Sequence, residues 1–352
     1  MSTTVWKMPT FITFGAVIMN TLHFSPLKLS RRSVCAGLLA SLLPCETRAV
    51  AKGSAASFPL TITHEFGDTT ILTEPKRIVA LGWNCEDIVL ALGHVPIAME
   101  ERALFDTGIL PWNKQVLGAK TPVLLQAEMT DYEQIASLKP DLIIFLSAYS
   151  KFEETAFRRF QQMAPTIVHQ SKNASLAWQE QTAFIGKALG RSEDAANLVR
   201  QTENFLDNLA ASNPITRGKT FLFGAYAAGQ GNMAVYLPAD ARIAMLQRLG
   251  LKVAPSIRLL GDANPEKWRT NVSLENIDRF EADVFILGYG TEIADAVKNN
   301  SLFQQNRAIR DGHCVYLDDP ALVWASSALS ILSIPFAFGT FFDRIAASLG
   351  ST

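Results

Sequence analysis

One helix–strand plan occurs twice in this chain. Glu133-Gln-Ile-Ala-Ser-Leu-Lys-Pro-Asp141 runs into Leu-Ile-Ile-Phe145, and Glu275-Asn-Ile-Asp-Arg-Phe-Glu-Ala-Asp283 runs into Val-Phe-Ile-Leu287. The spacing from Glu to Asp is the same in both. Each copy reads as an acidic residue opening a short helix, a loop, an Asp, then a buried strand. A chain built twice on one plan predicts two similar lobes, and two similar lobes usually hold something between them. The 352 residues exceed one ordinary core and leave room for two lobes and a leader.

The leader is read at residues 1–51. Ser30-Arg31-Arg32 precedes an uncharged run from Ser33 to Cys45, and Ala49-Val50-Ala51 supplies the small residues that a signal peptidase reads. The adjacent arginines fit a twin-arginine export signal cut near Ala51, with translation starting either at Met1 or at Met19. Beyond it, strands and helices alternate: the continuous apolar run Ile78–Leu81, a helix from Asn84 to Leu92 ending at Gly93, strands at 95–98, 142–146 and 166–169. This predicts an N-terminal α/β lobe over 52–172 with a mostly parallel sheet. Residues 173–212 keep helical apolar spacing without proline and predict a long interlobe helix, interrupted near Gly190. Residues 213–352 repeat the scheme as a C-terminal α/β lobe. The fold class is therefore two Rossmann-like lobes joined by a long helix. Ala321 to Phe342 is uncharged and long enough for a membrane span, but its serines and Pro335 favour a buried C-terminal helix.

Hydrophobic residues make up 48% and charged residues 18%, as in a globular chain, and a net charge of -1 argues against nucleic acid as partner. Cys85 and Cys314 are the cysteines beyond the leader, read as unpaired thiols; no Cys/His cluster suggests a resident metal. No Gly-x-Ser-x-Gly elbow, P-loop or His-Glu-x-x-His is present. Gly224-Ala-Tyr-Ala-Ala-Gly229 has the wrong spacing for a dinucleotide loop. Aromatic placement says more. Trp83, Tyr149, Tyr226, Trp268 and Trp324 all fall at or near the ends of strands or in connecting loops, the edge at which open parallel sheets bind ligands. Ordinary packing explains one such ring; five at equivalent edges point to a binding surface. Lys120, with Arg102 and Arg258 as further candidates, supplies a positive charge for anionic oxygens.

The segments Arg77-Ile-Val-Ala-Leu81-Gly-Trp83, Leu90-Ala-Leu-Gly93-His-Val-Pro96, Glu133-x-Ile with Lys139-Pro-Asp141, and Trp268-Arg-Thr-Asn-Val-Ser-Leu-Glu275 carry a family likeness. From Pro75 to the C-terminus the chain resembles the periplasmic iron-siderophore-binding proteins of ABC transporters, with the ferric hydroxamate-binding members nearest. The resemblance implies a monomeric, non-enzymatic periplasmic protein with no cofactor of its own. It would hold an iron-siderophore chelate in a shallow cleft against Trp83, Tyr149, Trp268 and Trp324, and pass it to an inner-membrane ABC permease. The family's binding arginine falls at Lys120, a departure because an ammonium cannot reproduce a bidentate guanidinium. Its permease-docking carboxylates fall at Glu133 and Glu275. The alternatives are a haem- or cobalamin-binding protein of the same fold, with Tyr149 or Tyr226 as axial ligand to haem, and an α/β metal-centre assembly enzyme.

Overall fold

The computed structural model describes residues 57–127, 129–148, 151–170, 177–288 and 292–350. The leader and Tyr149 lie outside the described residues. In the N-terminal lobe, strands β1 (Leu60–His64) and β2 (Gly67–Ile71) form an antiparallel hairpin. Then follow β3 (Ile78–Gly82), α1 (Cys85–Ala91), β4 (Ala98–Glu100), α2 (Pro111–Leu117), β5 (Val123–Leu125), α3 (Tyr132–Ser137), β6 (Leu142–Ser147), α4 (Glu154–Gln161) and β7 (Thr166–Gln170). The five strands β5-β4-β3-β6-β7 make an all-parallel sheet. Its middle strands are apolar throughout because both faces are covered, as a doubly wound sheet requires.

The predicted interlobe helix is two helices, α5 (Trp178–Ala188) and α6 (Ser192–Ser212). The break centres on Gly190, whose φ of 66° terminates α5. Helix α5 packs on α1 and β1, while α6 packs on the C-terminal helix of the chain.

The C-terminal lobe comprises β8 (Thr220–Ala225), β9 (Asn232–Tyr236), α7 (Ala241–Arg248), β10 (Lys252–Val253), α8 (Pro255–Asp262), β11 (Arg269–Ser273), a 3₁₀ helix at Leu274–Arg279, β12 (Val284–Gly288), α9 (Ile293–Lys298), α10 (Arg307–Arg310), β13 (Cys314–Leu317), α11 (Pro320–Ser327) and α12 (Ser333–Gly350). Strands β8, β12 and β13 are parallel, with β10 parallel to the start of β8. Strands β9 and β11 extend the sheet antiparallel, in the order β11-β9-β8-β12-β13. The loop after Gly224 thus leads to an antiparallel strand and not to a helix, so it lacks the strand–loop–helix geometry that cradles phosphate.

The Asp that closes each copy of the repeat has a structural task. Asp141, just before β6, accepts from the backbone N–H groups of Lys76 and Arg77, both at 2.8 Å, where the chain enters β3. Asp283, just before β12, accepts from the N–H and hydroxyl of Thr220, both at 2.7 Å, where the chain enters β8. In each lobe a carboxylate fastens the start of the neighbouring parallel strand. Burial pushes the Asp283 carboxyl up, but the Thr220 hydrogen bonds and the Lys219 charge outweigh it and hold it below its usual range. Ile135 and Ile277, two residues after the repeated Glu, are both buried.

The uncharged C-terminal stretch divides into α11 and α12, and among the described residues no helix is long and apolar enough to cross a membrane. The break falls at 328–332. Pro335 sits instead in the first turn of α12, where its missing N–H costs nothing. Cys85 is buried and Cys314 half-buried, and among the described residues neither forms a disulfide. One apolar cluster runs continuously from Ile62 and Ile78 through Ile185 and Leu206 to Phe338 and Ile345, so the two lobes share packed core through α5, α6 and α12.

Candidate functional site

Strand β3 ends at Gly82 with φ 81°. A β-carbon there would lie 2.0 Å from the Leu146 carbonyl oxygen, so only glycine lets β3 and β6 finish side by side while the chain turns out. The next N–H, that of Trp83, donates to the same oxygen at 2.9 Å. Asn84 follows at φ 60°, a left-handed conformation that Asn tolerates. Its Nδ2 donates at 2.9 Å to the Leu329 carbonyl in the segment after α11. Trp83, half-buried, is thereby aimed at the C-terminal lobe. Its ring meets that of Trp324 on α11, with centroids 5.2 Å apart and planes inclined at 59°.

Arg102, just past the end of β4, lies with Cζ 5.4 Å from the Trp324 ring centroid. Only 5% of the residue is exposed, and its guanidinium makes four hydrogen bonds to the N-terminal lobe. Nε and Nη2 donate to Glu86 Oε1 at 3.0 and 2.7 Å, Nη1 donates to Glu100 Oε2 at 3.0 Å, and Nη2 also donates to the Gly82 carbonyl at 2.8 Å. The other Glu100 oxygen accepts from the Gly82 N–H at 2.7 Å. Glu86 Oε2 is buried without a hydrogen-bond partner among the described residues. Burial pushes the Glu100 carboxyl above its usual range, and Arg102 pulls it back. Burial also works against the Arg102 charge, but Glu86 and Glu100 outweigh it.

A second aromatic group stands on the antiparallel edge of the C-terminal sheet. Tyr236 closes β9 and Trp268 immediately precedes β11; their rings stack with centroids 6.2 Å apart and planes at 14°. Arg242, in the first turn of α7, places Cζ 3.5 Å from the Tyr236 centroid and 5.9 Å from that of Trp268. Asp240 caps α7 and turns back on the same arginine. Its Oδ1 accepts the Arg242 backbone N–H at 2.9 Å and Nε at 2.7 Å, and its Oδ2 accepts Nη2 at 2.7 Å. Nη1 donates at 3.3 Å to the hydroxyl of Ser327. Ser327 lies three residues after Trp324 on α11, so one helix face carries both contacts and joins the two aromatic groups into a single band.

Behind this band the lobes are hydrogen-bonded together. Asp87, fully buried on α1, accepts from Trp112 Nε1 at 2.9 Å, from Asn113 Nδ2 at 2.7 Å, and from the Ser330 hydroxyl of the C-terminal lobe. Burial, then the adjacent Glu86 charge, pushes its carboxyl up to about 7 against the pull of those three donors.

The structure brings Trp83, Trp324 and Trp268 into this band. Trp324 stands in the body of α11, and Trp268 closes the polar loop 263–268 that leads into β11. Tyr226 is elsewhere. Along β8, Phe221 and Phe223 face the shared core, while Leu222, and Tyr226 just past the strand, belong to the opposite cluster. That alternation buries Tyr226 against Phe303, where its hydroxyl accepts from Asn300 Nδ2 at 3.2 Å. Lys120 also stands apart. It follows helix α2 and precedes β5, at the edge where the parallel strands begin, whereas Trp83 and Arg102 follow the ends of β3 and β4. Arg258 is exposed on α8. The cation under the rings is Arg102. Tyr236 and Arg242 were missed; the readable signal is Asp240 as a helix N-cap two residues before an arginine. Glu133 and Glu275 are both exposed in the first turns of their helices.

A band of aromatic rings bridging two α/β lobes at their strand ends suits a binding cleft, and the pattern for periplasmic binding proteins matches residues 78–321. The chain belongs to that family. Within the family it is similar to the Fe(3+)-citrate-binding protein YfmC of Bacillus subtilis, with 25% identity over 257 residues covering 71% of this chain and 76% of that one. It is similar also to the ferric enterobactin-binding periplasmic protein FepB of Escherichia coli, with 24% identity over 281 residues covering 76% and 80%. Among solved structures, PiaA of Streptococcus pneumoniae in complex with ferrichrome superposes with a TM-score of 0.72, at 23% identity, over 83% of this chain and 99% of that one.

Proposed function

We propose that this protein captures a ferric siderophore in the periplasm and delivers it to an ABC importer of the inner membrane, performing no reaction on its cargo. The observation that carries the reading is the contact between Trp83 of one lobe and Trp324 of the other, with Arg102 beneath and the Tyr236–Trp268–Arg242 group alongside. Broad ring faces with a few fixed polar groups suit a bulky chelate whose iron is already ligated. Among the described residues there is no group of three His, Cys, Asp or Glu that could hold a metal ion. Relatives named for ferric citrate and ferric enterobactin support the cargo class. The export-signal motif in residues 1–51 supports the compartment. Exposed Glu133 and Glu275, at matching places in the two lobes, are the carboxylates offered to the permease. Of the two candidate axial ligands to haem, Tyr226 is buried with its hydroxyl engaged and Tyr149 lies outside the described residues.

A tryptophan-fluorescence titration tests the proposal. Saturable quenching by at least one ferric siderophore, weakened in Trp83→Phe and Trp324→Phe, is expected. Absence of quenching across hydroxamate, catecholate and mixed chelates would end it.

A further inference from the structure

Helix α1 turns its capping chemistry outward. Asn84 occupies the N-cap position but makes no side-chain bond to the helix, the task such a residue ordinarily performs. Its Nδ2 reaches the other lobe instead, at the Leu329 carbonyl. Asp87, in the first turn, likewise receives the Ser330 hydroxyl across the joint. Asn84, Asp87, Leu329 and Ser330 are all buried. The two contacts thus fall on adjacent residues of the short turn between α11 and α12.

That turn has no slack. Ser330 Oγ accepts the N–H groups of Leu332 and Ser333 at 3.2 and 3.0 Å, which leaves its one hydrogen for Asp87. Ser333 Oγ accepts the Ser330 N–H at 2.8 Å and donates to the Ala328 carbonyl at 2.8 Å. The Ala328 N–H donates in turn to the Trp324 carbonyl at 2.8 Å, closing the last turn of α11. Hydrogen bonds therefore run unbroken from Asp87 of one lobe to the backbone of Trp324 in the other. The opposite end of α11 follows β13 and is capped by Asp319, whose Oδ1 accepts the Ala321 N–H at 2.8 Å. Helix α11 is a strut with one end fixed in the C-terminal lobe and the other clasped by α1. Trp324 rides on that strut, and Trp83 directly precedes Asn84 at the clasp.

We infer that Asn84 and Asp87 are positioning residues for the cleft: through the turn 328–333 they hold the Trp324 ring against that of Trp83, and losing either weakens cargo binding although both are buried behind the rings. A ring face already held in place costs no ordering when the cargo arrives, whereas a loose one must be ordered then. The consequence for cargo rests on the siderophore reading above; the placement of the rings does not.

The first measurement needs no cargo. Indoles with centroids 5.2 Å apart couple their transitions, so circular dichroism, taken against the same protein carrying Trp83→Phe, gives an exciton couplet that reports the pair. Asn84→Gly keeps the left-handed backbone and removes only the side chain. Asp87→Ala breaks the clasp at its other point and leaves the Ser330 bonds within the turn intact. Each should lose most of the couplet. Asp87→Asn should restore it, because Asn113 Oδ1, buried without a partner among the described residues, can receive the new amide hydrogen once the Asn113 amide turns over. Asp283→Ala, a fastening away from the joint, should keep it. Quenching titrations of the full exported chain then use a ferric trihydroxamate, a ferric tricatecholate and ferric citrate. For the probe that the wild type binds tightest, Asn84→Gly and Asp87→Ala should each weaken affinity about fivefold, with Asp87→Asn and Asp283→Ala within about twofold. An unchanged couplet in folded Asn84→Gly and Asp87→Ala, or an equal loss in Asp283→Ala, would overturn the inference and leave the siderophore reading standing. A lost couplet with unchanged affinity would overturn the role in binding. No probe binding the wild type would overturn the siderophore reading, while the couplet still decides the clasp. The two variants break separate bonds, so misfolding of one leaves the other as the test.

Discussion

The two lobes share a frame and differ in what they mount on it. Asp141 and Asp283 fasten the same kind of strand entry, and Ile135 and Ile277 bury at the same step of the repeat. Above that frame the N-terminal lobe is a wholly parallel sheet. It presents one ring, Trp83, at the end of β3 and sets Arg102 between two carboxylates. The C-terminal lobe inserts the antiparallel pair β9 and β11, which brings Tyr236 and Trp268 to one face, and gives Arg242 a single carboxylate. Repetition supplied the scaffold; the aromatic band arises where the lobes depart from each other.

The sharpest test of that contrast is the pair of arginines. Arg102→Leu should cost about 3–5 kcal/mol in urea unfolding, because it strands two buried carboxylates. Arg242→Leu should cost at least about 1 kcal/mol less, because Asp240 keeps its cap bond from the backbone N–H of residue 242. The reverse ranking would break the comparison.

Asp87, which belongs to the joint between lobes, should give the next effect. Its carboxyl titrates at about 7 in the fold against an ordinary 3.8, so the folded state holds the extra proton between those values. Stability then falls as pH rises through that window and levels off above it. Between pH 5 and pH 8 the wild type should lose roughly 2 kcal/mol relative to Asp87→Asn, read from urea midpoints at each pH. A gap between the two proteins that does not change with pH would count against the buried acid.

For binding, Trp324→Ala touches both lobes and should weaken chelate affinity by about tenfold or more, with Trp268→Ala costing less and Tyr226→Phe within about twofold of wild type. A large loss at Tyr226 would undo the division of β8 into two faces. The strand fastenings should match: Asp141→Ala and Asp283→Ala are each expected to lower stability by about 1 kcal/mol, a value discounted for partial exposure. A difference beyond about 1 kcal/mol between them would show that the duplicated frame is not energetically duplicated. Smallest of all, Lys120→Ala should leave chelate affinity within about twofold, as fits a residue at the far edge of the sheet.

Much of this fold was legible in the sequence. The apolar runs 78–81, 142–146 and 284–287 could only be strands covered on both faces, and Gly93 and Gly250 mark helix ends. What escaped was polar. Strand β11, Arg-Thr-Asn-Val-Ser, buries only Val272, because an edge strand with an open face needs no apolar alternation. Without β11 the sequence gives no reason to place Trp268 beside Tyr236. Lys120 falls between α2 and β5, where the parallel strands begin, and no local pattern tells that edge from the one where Trp83 and Arg102 lie. Arg102 was available as a candidate, but nothing local reveals that Glu86, on a different element, would reach it. Trp83 was legible for a physical reason: Gly-Trp-Asn after a buried strand offers two residues able to take positive φ.

Helix α1 carries Glu86 and Asp87 side by side, one gripping Arg102 beneath the tryptophans and the other gripping Ser330 across the joint. Neighbouring residues on a short rigid rod cannot be displaced independently. A pull strong enough to part the halves would tug the guanidinium from under the indoles in the same motion. Prying the molecule open and spoiling its grip would then be one mechanical event.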